Sequence, residues 1–277
     1  MQLDGKDRII IDNLETYAYH GVFPEENKAG QSFYFDVVLY TDIEQAGKQD
    51  DLQLSTDYGE VCHFINDWME NNTYKLIETV AEKLCEEILN KFPAVEALEM
   101  KISKPEAPVG LPFDNVCVNI LRGWHQVYLS VGSNMGDKEK YITDAIEAIK
   151  RHPLIKDVEI STLLVTKPYG GVEQEDFVNG AIALKTQMSP KTLLSFLNEL
   201  EALANRVREV HWGPRTLDLD IVFYDKLVYE DKDLIIPHVD MENRFFVLKP
   251  LSELAPNFRH PILQKTVSQL LASVDAC

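Results

Sequence analysis

The first 123 residues change repeatedly between two hydrophobic periods, and the order of these segments constrains the fold more than any other feature. Apolar side chains alternate along 31–43, as in a half-buried strand, and recur every three or four residues through 61–69 and 77–89, as in amphipathic helices. Strands are predicted near 6–20, 31–43, 95–104 and 114–122, helices from Thr56 or Asp57 to Asn72 and from Ile77 to Pro93, and a loop over 20–27. This order predicts an antiparallel sheet with two helices on one face, an α+β layer.

The remaining residues follow a different order. An apolar strand over 127–131 is followed by a helix over 138–150, strands near 157–167 and 178–187, a helix capped by Ser189 and begun by Pro190, and a strand around 217–224. Strand, helix, strand, strand, helix, strand is the ferredoxin-like order, here with short helices after Asn243. The join at 121–126 has no flexible tether, so we expect two domains, 1–123 and 124–277.

A basic stretch runs directly into the last of these strands. Side chains alternate along a strand, so Asp218 and Asp220 share one face, and two such carboxylates favour Mg²⁺ with water and phosphate oxygens. Arg206, Arg208 and Arg215 precede them, and guanidinium suits bidentate phosphate binding. The alternative is an edge strand with two solvated acids after an ordinary basic turn. No Walker A loop supplies another phosphate site, because the stretch 132–138 lacks its Gly-Lys-Ser/Thr ending.

Three stretches resemble the 6-hydroxymethyl-7,8-dihydropterin pyrophosphokinase family. They are Trp212-Gly-Pro-Arg-Thr-Leu-Asp-Leu-Asp220, Pro237-His-Val-Asp-Met-Glu-Asn-Arg244 and Val131-Gly-Ser-Asn134, and the resemblance covers roughly residues 126–277. It implies transfer of a pyrophosphoryl group from ATP to hydroxymethyldihydropterin with release of AMP. His211 and Val239 depart from the residues common in the family.

The resemblance also assigns site residues by position. The implied roles are two Mg²⁺ ions on Asp218 and Asp220; catalysis by Arg206 and Arg215; nucleotide binding by Glu201, Arg208, Trp212, His238 and Arg244; and pterin binding by Pro168, Phe177, Asn179 and Phe246. An isolated Phe at position 177 or 246 is more often a plain core residue, and His238 is also compatible with a surface turn.

Four segments of the first half resemble the dihydroneopterin aldolase family over roughly residues 6–122. They are Tyr19-His-Gly-Val-Phe-Pro-Glu-Glu-Asn27, Asp57-Tyr-Gly-Glu60, Leu76-Ile-Glu-Thr-Val-Ala-Glu82 and Ile102-Ser-Lys-Pro105. The resemblance implies a tunnelling-fold sheet and an aldolase site without a cofactor.

Within that site the resemblance gives each polar residue a role. Lys104 is the implied acid/base residue, Tyr58 handles the proton of the enol intermediate, and Glu26 lies near the substrate's trihydroxypropyl chain. Glu78, beside Ile77, anchors the pterin, whose amino and N3–H edge offers two donors to one carboxylate. Taken singly, each of these polar residues is also typical of a solvated surface, because spacing along the chain does not bring them together.

Composition limits the partners and the location. The net charge of −18 argues against nucleic acid as a partner. No apolar run approaches the length of a membrane span, and residues 1–20 have no signal-peptide core. The four cysteines, Cys62, Cys85, Cys117 and Cys277, have no paired spacing and are expected as free thiols. We therefore expect a cytoplasmic protein without membrane contact.

Together the two resemblances predict a bifunctional enzyme of folate biosynthesis. Dihydroneopterin would be cleaved to glycolaldehyde and hydroxymethyldihydropterin in the first half, and the second half would pyrophosphorylate that product with ATP. The aldolase resemblance implies a homo-oligomer, a tetramer or octamer assembled through the N-terminal domain. The alternative is a chain in which only one half is catalytically active and the other is a pterin-binding or assembly module.

Overall fold

The computed structural model describes residues 3, 5–168, 174–204 and 215–274. It divides into two compact units, residues 2–124 and 125–277. Each unit combines helices with an antiparallel sheet, which confirms the predicted mixture of helix and sheet. None of the described helices is long and apolar enough to cross a membrane.

The first unit is a four-stranded sheet with two long helices on one face. Its strands are β1 (Asp7–Ala18), β2 (Gln31–Thr41), β3 (Ala97–Lys104) and β4 (Val116–Gly123), paired in the order β1-β2-β3-β4. Its helices are α1 (Pro24–Ala29), α2 (Glu44–Gln49), α3 (Tyr58–Asn71) and α4 (Ile77–Lys91). The order of strands and long helices is the predicted one.

Burial follows the predicted alternation. Along β2 every second residue is buried, with Phe33, Phe35 and Val37 fully covered by the core formed with α3 and α4. The side chain of Asp57 caps α3 by accepting hydrogen bonds from Gly59 N and Glu60 N, at the predicted helix start. The sheet and the two long helices therefore form one hydrophobic core.

One prediction for this unit is wrong. The segment 20–27 was predicted as a loop, but its second part begins the short helix α1. Pro24 occupies the first turn, which suits its fixed φ, and the Glu26 carboxylate accepts a hydrogen bond from Phe23 N, the group just before the helix. Glu26 therefore lies on a helix.

The second unit contains a five-stranded antiparallel sheet with helices on both faces. Its strands are β5 (His125–Ser133), β6 (Ile155–Ile160), β7 (Leu164–Thr166), β8 (Phe177–Thr186) and β9 (Asp218–Tyr224), in the order β6-β8-β5-β9 with β7 also beside β8. Its helices are α5 (Lys138–Arg151), α6 (Pro190–Leu203), α7 (Phe245–Leu254) and α8 (Val267–Leu271). A small ribbon joins β10 (Tyr229–Glu230) and β11 (Ile235–Ile236).

Two hydrophobic clusters hold this sheet. One face packs on α5 and α6 through side chains that include Leu129, Ile146 and Leu197. The other face packs on α7 and α8 through a cluster that includes Phe223 and Leu248. The C-terminal helices therefore cover a sheet face that would otherwise be exposed.

The strand predicted near 157–167 is in fact two strands, and side-chain hydrogen bonds to the backbone occur where the two separate. Ser161 Oγ accepts a hydrogen bond from Ala181 N, and Glu253 accepts hydrogen bonds from Thr162 N and Thr162 Oγ1. The regular ladder stops at these residues and resumes at β7.

Candidate functional sites

The end of β3 brings Lys104 of the first unit to the helix that carries Glu26. Lys104 is 7% exposed and Glu26 8%, and their Nζ and Oε1 atoms lie 2.5 Å apart. Lys104 Nζ also donates a 3.3 Å hydrogen bond to the carbonyl oxygen of His20. Two residues expected as site groups, separated by most of the domain in sequence, therefore form one buried ion pair.

The charge of Glu26 follows from its hydrogen bonds. Burial opposes ionisation of the carboxyl, but the hydrogen bonds from Lys104 and from Phe23 N outweigh that cost and hold its pKa below the usual value. The Glu26 carboxyl is therefore ionised near neutral pH.

A buried histidine lies against this pair. The His20 ring is fully buried among Phe33, Trp68 and Tyr74, and its Nδ1 accepts a 3.0 Å hydrogen bond from Tyr74 N. Burial and the nearby Lys104 charge lower the pKa of His20 to about 4. Its ring is therefore neutral near pH 7 and carries the proton on Nε2, since Nδ1 is the acceptor.

The other residues predicted for this site lie at helix starts. Tyr58 is the first residue of α3 and is 61% exposed, while the half-buried Ile77 and the exposed Glu78 begin α4. Among the described residues, no hydrogen bond joins Tyr58 or Glu78 to Lys104 or Glu26. A single chain therefore assembles the Lys104–Glu26 part and leaves Tyr58 and Glu78 accessible.

An open cleft lies at one end of the second sheet. Predicted site residues line it: Phe177, Asn179, Arg215, Asp218, Asp220, His238, Arg244 and Phe246. Pro168, half-buried beside the lining residue Lys167, is not itself part of the lining. Arg206, Arg208 and Trp212, like His211, Cys277 and the stretch 169–171, fall outside the described residues.

The two aspartates lie as the alternation of β9 predicts. Leu217, Leu219 and Ile221 are buried, while Asp218 and Asp220 are half-buried and face the cleft. The Arg215 guanidinium forms an ion pair with Asp218, and His238 Nε2 lies 3.7 Å from Asp220 Oδ2. The acids belong to a charged site and not to a plainly solvated edge.

Glu201 supports this strand from outside the cleft. It is 5% exposed, on α6, and its Oε1 accepts a 2.8 Å hydrogen bond from Leu219 N, between the two aspartates. It was predicted at the nucleotide site; in the described residues it holds the backbone of β9.

Asn134 links the two borders of the cleft. Its Oδ1 accepts a 2.7 Å hydrogen bond from Arg215 N, its backbone N–H donates to Arg215 O, and its Nδ2 donates to Gln174 Oε1. Asn134 is 1% exposed. The sequence marked the stretch 131–134, but gave no sign of this link or of Gln174.

Asn179 is fixed at the floor of the cleft. Its Nδ2 donates a 2.8 Å hydrogen bond to Thr166 Oγ1. Its Oδ1 approaches Gly132 so closely that a Cβ there would lie 2.8 Å away, which explains the glycine after β5's apolar run. Thr166 was not predicted, because only the pairing of β7 with β8 brings it beside Asn179.

Phe177 and Phe246 are half-buried and line the cleft, so they are not plain core residues. Arg244 shares the same border and donates from Nε to Asp240 Oδ2 at 3.3 Å. Hydrogen bonds from Asn243 and Arg244 lower the pKa of Asp240 against the opposing effect of burial. Aromatic faces, cations and acids thus meet in one cleft.

Comparison with known proteins agrees with this geometry. The family model described as 7,8-dihydro-6-hydroxymethylpterin-pyrophosphokinase matches residues 128–256. A 2-amino-4-hydroxy-6-hydroxymethyldihydropteridine pyrophosphokinase of Pseudomonas aeruginosa is 41% identical over 136 residues, which are 49% of this chain and 84% of that protein. The chain belongs to this pyrophosphokinase family. The model described as dihydroneopterin aldolase matches residues 9–121, so one polypeptide matches both family models.

Two longer relatives also match this chain. The Bifunctional protein FolKE of Lactococcus lactis is 44% identical over 148 residues, 53% of this chain and 42% of that protein. The Folic acid synthesis protein FOL1 of Dictyostelium discoideum is 30% identical over 291 residues, 95% of this chain and 44% of that protein. The chain thus spans less than half the length of these relatives.

Proposed function

We propose that this chain is a bifunctional folate-biosynthesis enzyme that cleaves 7,8-dihydroneopterin and then pyrophosphorylates the 6-hydroxymethyl-7,8-dihydropterin formed. The observation that carries the proposal is the pairing of two separate sites, each built from the residues of one family's motifs: the buried Lys104–Glu26 pair and the cleft around Asp218 and Asp220. We infer domains 1–123 and 124–277, a tunnelling fold and a ferredoxin-like sandwich respectively. The strand orders support both names.

In the aldolase step, Lys104 handles the proton of the side-chain hydroxyl while the carbon–carbon bond beyond C1′ breaks. Glycolaldehyde leaves, the electrons of the broken bond enter the pterin ring as an enol, and a proton delivered to carbon completes the hydroxymethyl group. Glu26 holds the lysine, Tyr58 handles the enol proton, and Glu78 accepts hydrogen bonds from the pterin edge.

Both Tyr58 and Glu78 are accessible in the single chain, which supports a site completed by a second copy. We propose a homo-oligomer, a tetramer or octamer, assembled through residues 1–123. Exposed apolar residues on the first unit, including Ile10, Tyr17 and Leu121, support such an assembly. The free thiols of Cys62, Cys85 and Cys117 suit the cytoplasm.

The donor chemistry of the second site fits Mg²⁺. Asp218 and Asp220 offer hard oxygens on one strand face, and Mg²⁺ takes few protein carboxylates and completes its shell with water and phosphate. No group of three metal-binding side chains occurs in the described part of the chain, which suits ions held mainly by ATP. Two Mg²⁺ would bind here and offset the negative charge of the triphosphate.

The chain's own residues position the reactants. Arg215 and Arg244 face the charge that develops as AMP leaves, Phe177 and Phe246 provide flat faces for the pterin, and Asn179 hydrogen-bonds its ring. The attacking group is the pterin hydroxymethyl oxygen, which bonds to the β-phosphorus as the bond from that phosphorus to the α-phosphate oxygen breaks.

Two variants test the proposal. Lys104→Ala should stop glycolaldehyde release and leave AMP release from supplied hydroxymethyldihydropterin unchanged, while Asp218→Asn should do the reverse. Each activity is the control for the other, since both reside in one chain. Loss of both activities in either variant, or of neither, would contradict the assignment of separate sites.

A further inference from the structure

The Lys104–Glu26 pair rests against a turn, His20 and Gly21, to which no role was assigned from the sequence. His20 and Gly21 lie between β1 and α1, and both are buried. The carbonyl oxygen of His20 accepts the hydrogen bond from Lys104, and the carboxylate of Glu26 lies against Gly21. The turn therefore touches both members of the ion pair.

A side chain at position 21 has no space. An ideal Cβ built on Gly21 would lie well inside 3.0 Å of the Glu26 carboxyl carbon and of both carboxylate oxygens, closer than real Cβ atoms come. The φ angle of Gly21 is not in the left-handed region, so the backbone would tolerate alanine. The restriction comes from contact with Glu26.

The turn is also anchored from outside. Tyr74 N donates to His20 Nδ1 and Gly21 N donates to Tyr74 O, both at 3.0 Å. Asn27 Nδ2 donates to the carbonyl oxygens of Tyr19 and Gly21 and ties α1 to the same segment. Because the turn is held on two sides, a Cβ added at Gly21 would displace the Glu26 carboxylate and not the backbone of the turn.

We propose that Gly21 is a positioning residue for the aldolase reaction: its missing side chain leaves the space in which the Glu26 carboxylate lies while it holds Lys104. This inference rests on the proposed aldolase function. Gly21 would affect turnover only through the position of Glu26, and would not itself contact the substrate.

A double-mutant cycle over Gly21→Ala and Glu26→Ala tests this, with Gly47→Ala as the matched control. Gly47 is exposed on α2, and a Cβ there would meet nothing within 4 Å. We expect Gly21→Ala to lower kcat for glycolaldehyde release about a hundredfold, as a small misplacement of a reacting group can, with KM changed less than about twofold. Gly47→Ala should retain wild-type kcat.

In the Glu26→Ala background, adding Gly21→Ala should change kcat less than about twofold, because the carboxylate that the new Cβ would meet is gone. Equal losses in both backgrounds, or wild-type kcat in Gly21→Ala, would overturn the proposal. If the Gly21→Ala variant does not fold, a double variant that folds would support the proposal. A double variant that also fails to fold would overturn it.

The same four proteins separate this inference from the proposed function. If the wild type releases no glycolaldehyde, the aldolase proposal fails. The melting temperatures of the wild type, the two single variants and the double variant still decide whether positions 21 and 26 interact. Non-additive changes in Tm are expected; additive changes would overturn the role of Gly21.

Discussion

Replacing His20 by asparagine is expected to remove a defined part of the pH dependence of stability in the first unit. His20 is fully buried, and its pKa falls from 6.5 to about 4, chiefly through burial and then through the charge of Lys104. Between these values the unfolded chain binds a proton at this residue that the folded chain does not. The free energy of unfolding therefore increases as the pH rises through this window. The stabilisation that the neutral His20 contributes is lost as the pH falls back through it.

The magnitude follows from the two pKa values. The difference between the folded and unfolded pKa values of His20 corresponds to about 3 kcal/mol, at about 1.4 kcal/mol for each pKa unit. Between pH 7 and pH 5 the His20 contribution falls by about 2 kcal/mol, since the folded ring is still neutral at pH 5. This interval lies above the titration of Glu26, whose pKa is lowered, so that carboxylate contributes little to the change.

Urea unfolding at pH 7 and pH 5 measures this contribution, followed by tryptophan fluorescence, to which Trp68 beside His20 contributes. His20→Asn keeps a hydrogen-bond acceptor for Tyr74 N and removes the titrating ring. The wild type should lose about 2 kcal/mol more than the variant on going to pH 5. Equal losses in the two proteins would refute the account of a buried, neutral His20.

Three further outcomes are expected. Mixing Tyr58→Phe and Lys104→Ala chains should restore part of the glycolaldehyde release that each lacks alone, if a site is shared between copies; no recovery after joint refolding would count against sharing. Asn134→Ala should destabilise the second unit by about 1–3 kcal/mol and slow AMP release, because Arg215 N loses its buried acceptor, and unchanged AMP kinetics would contradict this. Residues 1–123 expressed alone should remain oligomeric and aldolase-active by light scattering and glycolaldehyde assay; a monomeric, fully active fragment would oppose assembly through this domain.

The fold was largely predictable because burial follows local periodicity. Alternate residues of β2 are buried as the alternation predicts, and the apolar stripe of α4 includes Val80, Leu84 and Ile88. The prediction was wrong where side chains act on the backbone. Glu26 helps to begin a helix in a segment predicted as a loop, and Ser161 interrupts a strand predicted as continuous.

The sites were predictable only in part. Alternation along β9 was enough to give Asp218 and Asp220 one face, since two residues on one strand need no tertiary information. The Lys104–Glu26 pair joins residues 78 positions apart, so only a family resemblance could suggest it. The support from Thr166 and Gln174 depends on strand pairing and on the side-chain link through Asn134, which no local pattern contains.

The most direct test supplies 7,8-dihydroneopterin as the sole pterin, with ATP and Mg²⁺, and follows glycolaldehyde and AMP together. If one chain carries out both steps, glycolaldehyde appears first, AMP follows after a lag, and the two reach equal amounts when ATP is in excess. Glycolaldehyde without AMP, or AMP release that does not depend on dihydroneopterin, would contradict two consecutive activities in this polypeptide.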